Sequence, residues 1–214
     1  MPKGFSHPLL EHPGELARFG GWSEEVYRDL LAVQAGRMDE EGFRRKYCRT
    51  VAILQLDMTG MTKAAIRGGA MLSFTRILNV QKVCAPVLLD HGASHIRTFA
   101  DDFTAVFQEP APALDAALAI HERMAAFNAT LGSPEQRVQC CIGLGYGEVY
   151  SIGVDGAMGD EMNRASKLGE DTAKGGETLV TENFFARVKH RADCRFEPRK
   201  DEELLFPYYS VMRR

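Results

Sequence analysis

The 214-residue chain is 45% hydrophobic and 26% charged, a globular composition with room for one sizeable core and a small appendage. Its formal net charge of -3 argues against a general nucleic-acid partner, so a phosphate-rich ligand must be met by local cations or metals. No stretch approaches the ~20 apolar residues of a membrane span, and the first residues lack the apolar core of a secretory signal. The expectation is a cytoplasmic protein with no membrane partner. The five cysteines, Cys48, Cys84, Cys140, Cys141 and Cys194, include no CxxC pair, which favours reduced, buried thiols over a disulfide framework.

In chain order, residues 1–20 are rich in Pro, Gly and His and read as an extended arm. Ser23 as cap, Glu24 and Glu25 in the first turn and a stripe of Val26, Leu30, Leu31 and Val33 predict a helix from Trp22. Gly36 interrupts it, and Asp39–Arg45 predicts a second short helix. Residues 1–46 therefore read as an arm with a helical appendage, and residues 47–214 as the main domain. Thr50–Leu56 is a buried strand ending at Asp57, followed by a helix over 62–82 with Ile66, Met71, Phe74, Ile77, Leu78 and Val80 as its apolar positions. Ile96–Phe99 and Phe103–Phe107 form a hairpin around Ala100, Asp101 and Asp102. Then come a helix over Ala113–Leu131, a strand pair Val138–Leu144 and Gly147–Gly153 around Tyr146, and a helix over Glu161–Thr172. The tail alternates a strand at Glu177–Val180, a short helix from Thr181, and strands near Cys194–Phe196 and Tyr208–Met212. The fold class is α+β, a mixed sheet flanked by helices.

Two carboxylates stand out by position. Asp57 closes an apolar strand and precedes the turn Met58-Thr59-Gly60-Met61-Thr62. A carboxylate there can hold a hard cation while the turn's N–H groups hold phosphate. Asp101 sits at the hairpin tip, with Asp102 beside it. Spacing alone equally allows Asp57 to be a helix cap and Asp101 a turn residue. On the late helix, Asn163 and Lys167 are four apart and share a face. An amide and a cation so placed suit a sugar and a phosphoryl group, or simply a solvated surface.

Taken in order, these strings resemble the class III adenylyl and guanylyl cyclases from Tyr47 to about Arg187. The carrying strings are Leu56-Asp57-Met58-Thr59-Gly60-Met61-Thr62, Arg97-Thr98-Phe99-Ala100-Asp101, and Asn163 with Lys167. The resemblance implies a ferredoxin-like core and two metal ions held by Asp57 and Asp101 with the carbonyl of Met58. It further implies substrate contacts from Thr59, Gly60, Met61 and Thr62, with Asn163 orienting the ribose and Lys167 standing where the family has Arg. It implies a homodimer with active sites at the subunit interface, in which a ribose 3′-hydroxyl attacks the α-phosphorus and pyrophosphate leaves.

The base-reading Lys of purine cyclases is replaced by Arg97, and its Asp partner would fall at Gly156, with Asp155 one place off. Either base selection has decayed and the domain is an inactive nucleotide-binding or interaction module, or the pocket is rebuilt for a smaller ring whose carbonyl oxygens Arg97 can bond. Tyr47 could stack on such a base or be a core tyrosine. The longer string Met158-Gly159-Asp160-Glu161-Met162-Asn163-Arg164-Ala165-Ser166-Lys167-Leu168-Gly169-Glu170-Asp171 resembles the pyrimidine cyclases of bacterial antiphage (Pycsar) systems. That resemblance implies UTP, or alternatively CTP, as substrate and Mn²⁺ as the preferred ion, with Mg²⁺ possible. It also implies a separate effector activated by the cyclic nucleotide.

His91 and His95 flank Gly92 in a loop-like stretch, so their four-residue spacing does not make a metal pair. Gly143, Gly145, Gly147 and Gly153 lack the Gly-Lys-Ser/Thr of a phosphate loop and suit a tight turn and close strand packing.

Overall fold

The fold is described from a computed structural model over residues 9–153, 156–201 and 204–214, and for Thr62 and Lys63 over the backbone alone. Three helices lead in: α1 (Pro13–Phe19), α2 (Glu24–Gln34) and α3 (Glu40–Tyr47). The first corrects the extended-arm expectation. Pro13 opens the helix with φ preset, and the His12 ring accepts from the Gly14 N–H, a cap outside the usual Ser, Thr, Asp and Asn set. Ser23 caps α2 as expected and Asp39, read as the first residue of the next helix, caps α3; they accept from the N–H groups of Val26 and Gly42. Helix α3 runs directly into strand β1 (Cys48–Met58), so the lead-in joins the sheet without a linker. Val26, Phe43 and Ile152 form a small apolar cluster with Trp22, Tyr47 and Tyr150, which seats the lead-in on the main domain.

The remaining elements are α4 (Met61–Asp90), β2 (His95–Phe99), β3 (Asp102–Phe107), α5 (Pro110–Thr130), β4 (Cys140–Tyr150), α6 (Asp160–Ser166), β5 (Thr178–Thr181), α7 (Glu182–Val188), β6 (Cys194–Arg199) and β7 (Tyr208–Arg213). They build a seven-stranded sheet in the order β2-β3-β1-β4-β5-β7-β6. Only the β4–β5 pairing is parallel among these strands. This is the expected mixed sheet with flanking helices.

Strand β1 is central and presents two unlike faces, because successive side chains alternate. Ala52, Leu54, Leu56 and Met58 enter the main core with residues of α4 and α5, including Val80, Leu88, Leu114 and Ile120. Each such leucine contributes roughly 1.5–3 kcal/mol by leaving water. Val51 and Ile53 face the other way and pack with Val106, Val149, Met162 and Ala165.

Strand β4 is one continuous strand rather than the predicted pair around Tyr146. Gly143, Gly145 and Gly147 alternate onto one face of it and serve close packing instead of a turn. A side chain at Gly143 would lie 2.1 Å from the carbonyl oxygen of Ala165, so the stripe is the groove that receives α6. The predicted helix over Glu161–Thr172 is α-helical only to Ser166, and Lys167–Thr172 continues as a π-helical turn. Helix α4 outruns its predicted end at residue 82, is kinked where Gly69 has φ 72°, and carries Pro86 inside. Ile66, Met71, Phe74 and Leu78 of α4 are exposed, although their spacing reads as a buried stripe. Among the described residues no helix is long and apolar enough to cross a membrane.

Candidate active site

Asp57 sits near the end of β1, opposite Cys141 of β4 and one step beyond the Leu56–Phe103 pair. Its neighbour on the same face, Gln55, is buried and held on both sides. Thr104 Oγ1 donates to Gln55 Oε1 at 2.8 Å, and Gln55 Nε2 donates to Glu170 Oε1 at 2.8 Å. Facing residues of paired strands project to the same side. The register of β2, β3 and β1 therefore sets His95, Arg97, Phe99, Asp102, Thr104, Gln55 and Asp57 on one open face.

The β2–β3 hairpin turns on Ala100 and Asp101, with Ala100 in the left-handed region at φ 51°. This conformation is unfavourable for alanine and is held by the strands on either side. Asp101 occupies the turn, whereas Asp102 opens β3 on the face of Asp57. Burial pushes the Asp57 carboxyl up to about 6; the Met58 backbone hydrogen bond opposes this, and the charges of Asp102, Asp101 and Glu170 add to it. Burial likewise pushes Asp102 up to about 6, with Glu170 and Asp101 adding. The site is a set of carboxylates that resist ionising side by side.

Sequence reasoning assigned no role to Glu170. It lies in the π-helical turn Lys167–Thr172, where α-helical spacing does not hold, so no periodicity signals it.

The turn after Asp57 is pinned from two directions. The Thr59 N–H and Oγ1 both donate to the carbonyl of Gln139, at 3.0 and 3.1 Å. Gly60, left-handed at φ 71°, opens α4 with no side-chain cap. The first N–H groups of α4, from Met61 on, thus lack a side-chain acceptor at the positive end of the helical segment 61–68, before the Gly69 kink. The Thr62 side chain lies outside the described residues.

Helix α6 is anchored by Glu161, a buried carboxylate that accepts from the Tyr146 N–H at 3.0 Å, from Thr181 Oγ1, and from Asn183 Nδ2 at 3.2 Å. That anchor joins α6 to β4, β5 and α7, and no periodicity signals it. Asn163 and Lys167 stand on the solvent side of the segment, while Ala165, Leu168 and Gly169 face inward. Lys167 Nζ pairs with Asp171 Oδ2 at 2.9 Å across an exposed turn, a weak contact.

Arg97 holds its guanidinium 5.4 Å from the centre of the exposed Phe99 ring. Toward the other end of the open face, a cavity of about 590 Å³ is lined by Arg49, Val51, His95, Gln108 and Gly156, among others. A side chain at Gly156 would come within 2.8 Å of the His95 ring. His91 closes α4, with Nδ1 2.8 Å from the Val87 carbonyl, so it and His95 belong to different elements.

Tyr47 precedes β1, ten residues before Asp57, which at ~3.3 Å per residue is roughly 30 Å away. Its hydroxyl donates to Asp29 Oδ2 at 2.8 Å and its ring packs 4.6 Å from that of Phe43. One chain therefore brings Asp57, Asp101, Asp102 and the 58–61 turn together, and leaves Tyr47 outside that cluster.

No family model matches the sequence, and no curated protein matches it. Solved structures do match. The guanylate cyclase domain of RhGC from Catenaria anguillulae, in complex with GTP, aligns with a TM-score of 0.64 at 18% identity, over 77% of this chain and 97% of that one. The adenylyl cyclase CyaB from P. aeruginosa aligns with a TM-score of 0.63 at 17% identity, over 77% and 94%. An adenylate/guanylate cyclase/hydrolase from Silicibacter pomeroyi aligns with a TM-score of 0.63 at 24% identity, over 77% and 95%. The architecture of this chain is the class III cyclase catalytic fold.

Proposed function

We propose that this chain is a nucleotidyl cyclase that converts a pyrimidine nucleoside triphosphate, UTP ahead of CTP, into its 3′,5′-cyclic monophosphate and pyrophosphate. The observation that carries the reading is the acidic face itself. Asp57 and Asp102, with Asp101 in the adjoining turn, meet beside the uncapped start of α4 on a cyclase fold.

The donor set is made of hard oxygens, the class that Mg²⁺ and Mn²⁺ take. Among the described residues no three acidic, histidine or cysteine side chains converge on one point. The set that fits is thus a carboxylate pair, Asp57 with Asp101 or Asp102, completed by the Met58 carbonyl and by ligand oxygens. Bound there, two divalent ions would supply charge neutralisation and activation of the 3′-hydroxyl; Mn²⁺ is the ion expected from the Pycsar resemblance.

The chain's own residues do the rest. The N–H groups of the 58–62 turn and the start of α4 take the triphosphate, Asn163 orients the ribose, and Lys167 offers its cation to the phosphoryl group. The 3′ oxygen bonds to the α-phosphorus, the bond from that phosphorus to the leaving pyrophosphate breaks, and the hydroxyl proton passes to solvent.

Two features support a homodimer. Asn163 and Lys167 are exposed, and the family resemblance has a second copy supply them to the acidic face. Met71, Phe74 and Leu78 of α4 and Phe99 at the hairpin tip are exposed large apolar side chains, which such a copy would cover.

Base choice rests on Arg97 and on the packing of Gly156 against His95, which leaves no room for a carboxylate at 156. An antiphage role, with a separate effector that reads the cyclic product, follows from the Pycsar resemblance.

A purine substrate is the second reading, favoured by the adenylyl and guanylyl cyclases that share the fold. Purified protein incubated with ATP, GTP, CTP or UTP and Mn²⁺, with products read by mass spectrometry, decides between them. A cyclic pyrimidine supports the first reading and a cyclic purine the second. Failure to bind any nontransferable triphosphate analogue would sink both.

A further inference from the structure

Arg76 projects from α4 into the protein, 7% exposed, beneath the turn that follows Asp57. Its Nη2 donates to the Thr59 carbonyl at 2.9 Å and to the Arg137 carbonyl at 3.2 Å, and its Nη1 donates to the Gly60 carbonyl at 3.2 Å. Its Nε has no partner. Among the described residues no carboxylate pairs with it. A buried cation satisfied by carbonyl dipoles alone costs several kcal/mol, unless an anion close by offsets it.

The geometry says where that anion lies. In a planar trans peptide the C=O and N–H groups point in opposite directions. Arg76 draws the Thr59 and Gly60 carbonyls inward, so the N–H groups of Gly60 and Met61 are turned outward. Those amides stand at the uncapped, positive end of α4, beside Asp57.

We infer that Arg76 is a positioning residue for the triphosphate, one that aims the Gly60 and Met61 amides from behind and stores a countercharge under the turn. This rests on the proposed triphosphate site. The guanidinium fork is required because three carbonyls at diverging positions are held by two nitrogens, which a lysine ammonium cannot reproduce.

The test measures amide hydrogen exchange in the wild-type chain with and without a nontransferable UTP analogue and Mn²⁺. Titration of the same analogue into wild type and Arg76→Lys accompanies it. Slower exchange at Gly60 and Met61 on binding is expected in the wild type. Arg76→Lys should lose that slowing and bind about tenfold more weakly, the equivalent of one charge-assisted hydrogen bond. An Arg76→Lys variant that binds and protects like the wild type overturns the inference. Should that variant not fold, the wild-type exchange decides alone, and binding without protection at Gly60 and Met61 overturns it equally. Absence of any binding by the wild type would instead remove the triphosphate reading on which the inference stands.

Discussion

The two faces of β1 are built to different ends from the same eleven residues. One face, Ala52, Leu54, Leu56 and Met58, is buried against α4 and α5. The other begins apolar at Val51 and Ile53 under α6, then becomes polar at Gln55, still covered by the 167–172 turn, and at the half-buried Asp57. The first face contributes stability through lost water contact. The second gives some of it up, because two carboxylates there are held partly buried and close together. A polar patch that resists its own charge marks a place prepared for a cation.

The contrast is broken most sharply at Asp57. Asp57→Asn should lower turnover about a thousandfold, the scale of losing a group that holds the catalytic charge. The same variant should melt higher than the wild type without metal at neutral pH, since a repulsive ionised group is removed. Product formation and thermal melts in EDTA read the two effects. On the packed face the sign reverses: Leu54→Ala should cost about 4 kcal/mol and depress the melting temperature of the metal-free protein.

His121, on α5 with its Nε2 2.8 Å from Thr178 Oγ1, sharpens the comparison through pH. Burial lowers its pKa to about 4, below the ordinary 6.5. The folded chain therefore keeps the ring neutral while the unfolded chain takes up a proton. Stability contributed above pH 6.5 is lost as pH falls toward 4, by about 3 kcal/mol in all. Asp57 and Asp102, with raised pKa values, act in the opposite sense over the same range. The check is therefore the urea midpoint of wild type minus that of His121→Gln, which should fall by the equivalent of that amount from pH 7 to pH 4.

Gly143→Ala attacks the seam between the faces. Its methyl group meets the Ala165 backbone, so α6 must shift. About 2 kcal/mol of stability should go, together with activity beyond what the melting point explains. Smallest is Tyr47→Phe, which removes the hydrogen bond to Asp29 and should cost about 1 kcal/mol in a melt. A change in base preference in that variant would place Tyr47 at a partner's site instead.

Much of the fold was legible in the sequence, because strands and helices announce themselves by period. The apolar run to Asp57, the hairpin before Phe103, and the Ser23 and Thr181 caps stand where their chemistry predicts. What failed to show depends on contacts between distant residues. The glycines of β4 look like a turn until α6 is seen lying on them. Asp102 reads equally as a metal neighbour or the second turn residue until the strand register sets it on the face of Asp57. Glu161 and Arg76 read as ordinary helix-surface charges, yet each is buried because groups far along the chain bond it.

The sequence by itself determined most of the elements, their order and the strand-end carboxylate, since these follow from local periodicity and turn chemistry. Only the tertiary structure decided which charges are buried, which face Asp57 shares, and which way the amides after it point. Those depend on strand register and on the direction of individual peptide planes, set by partners scores of residues away in the chain.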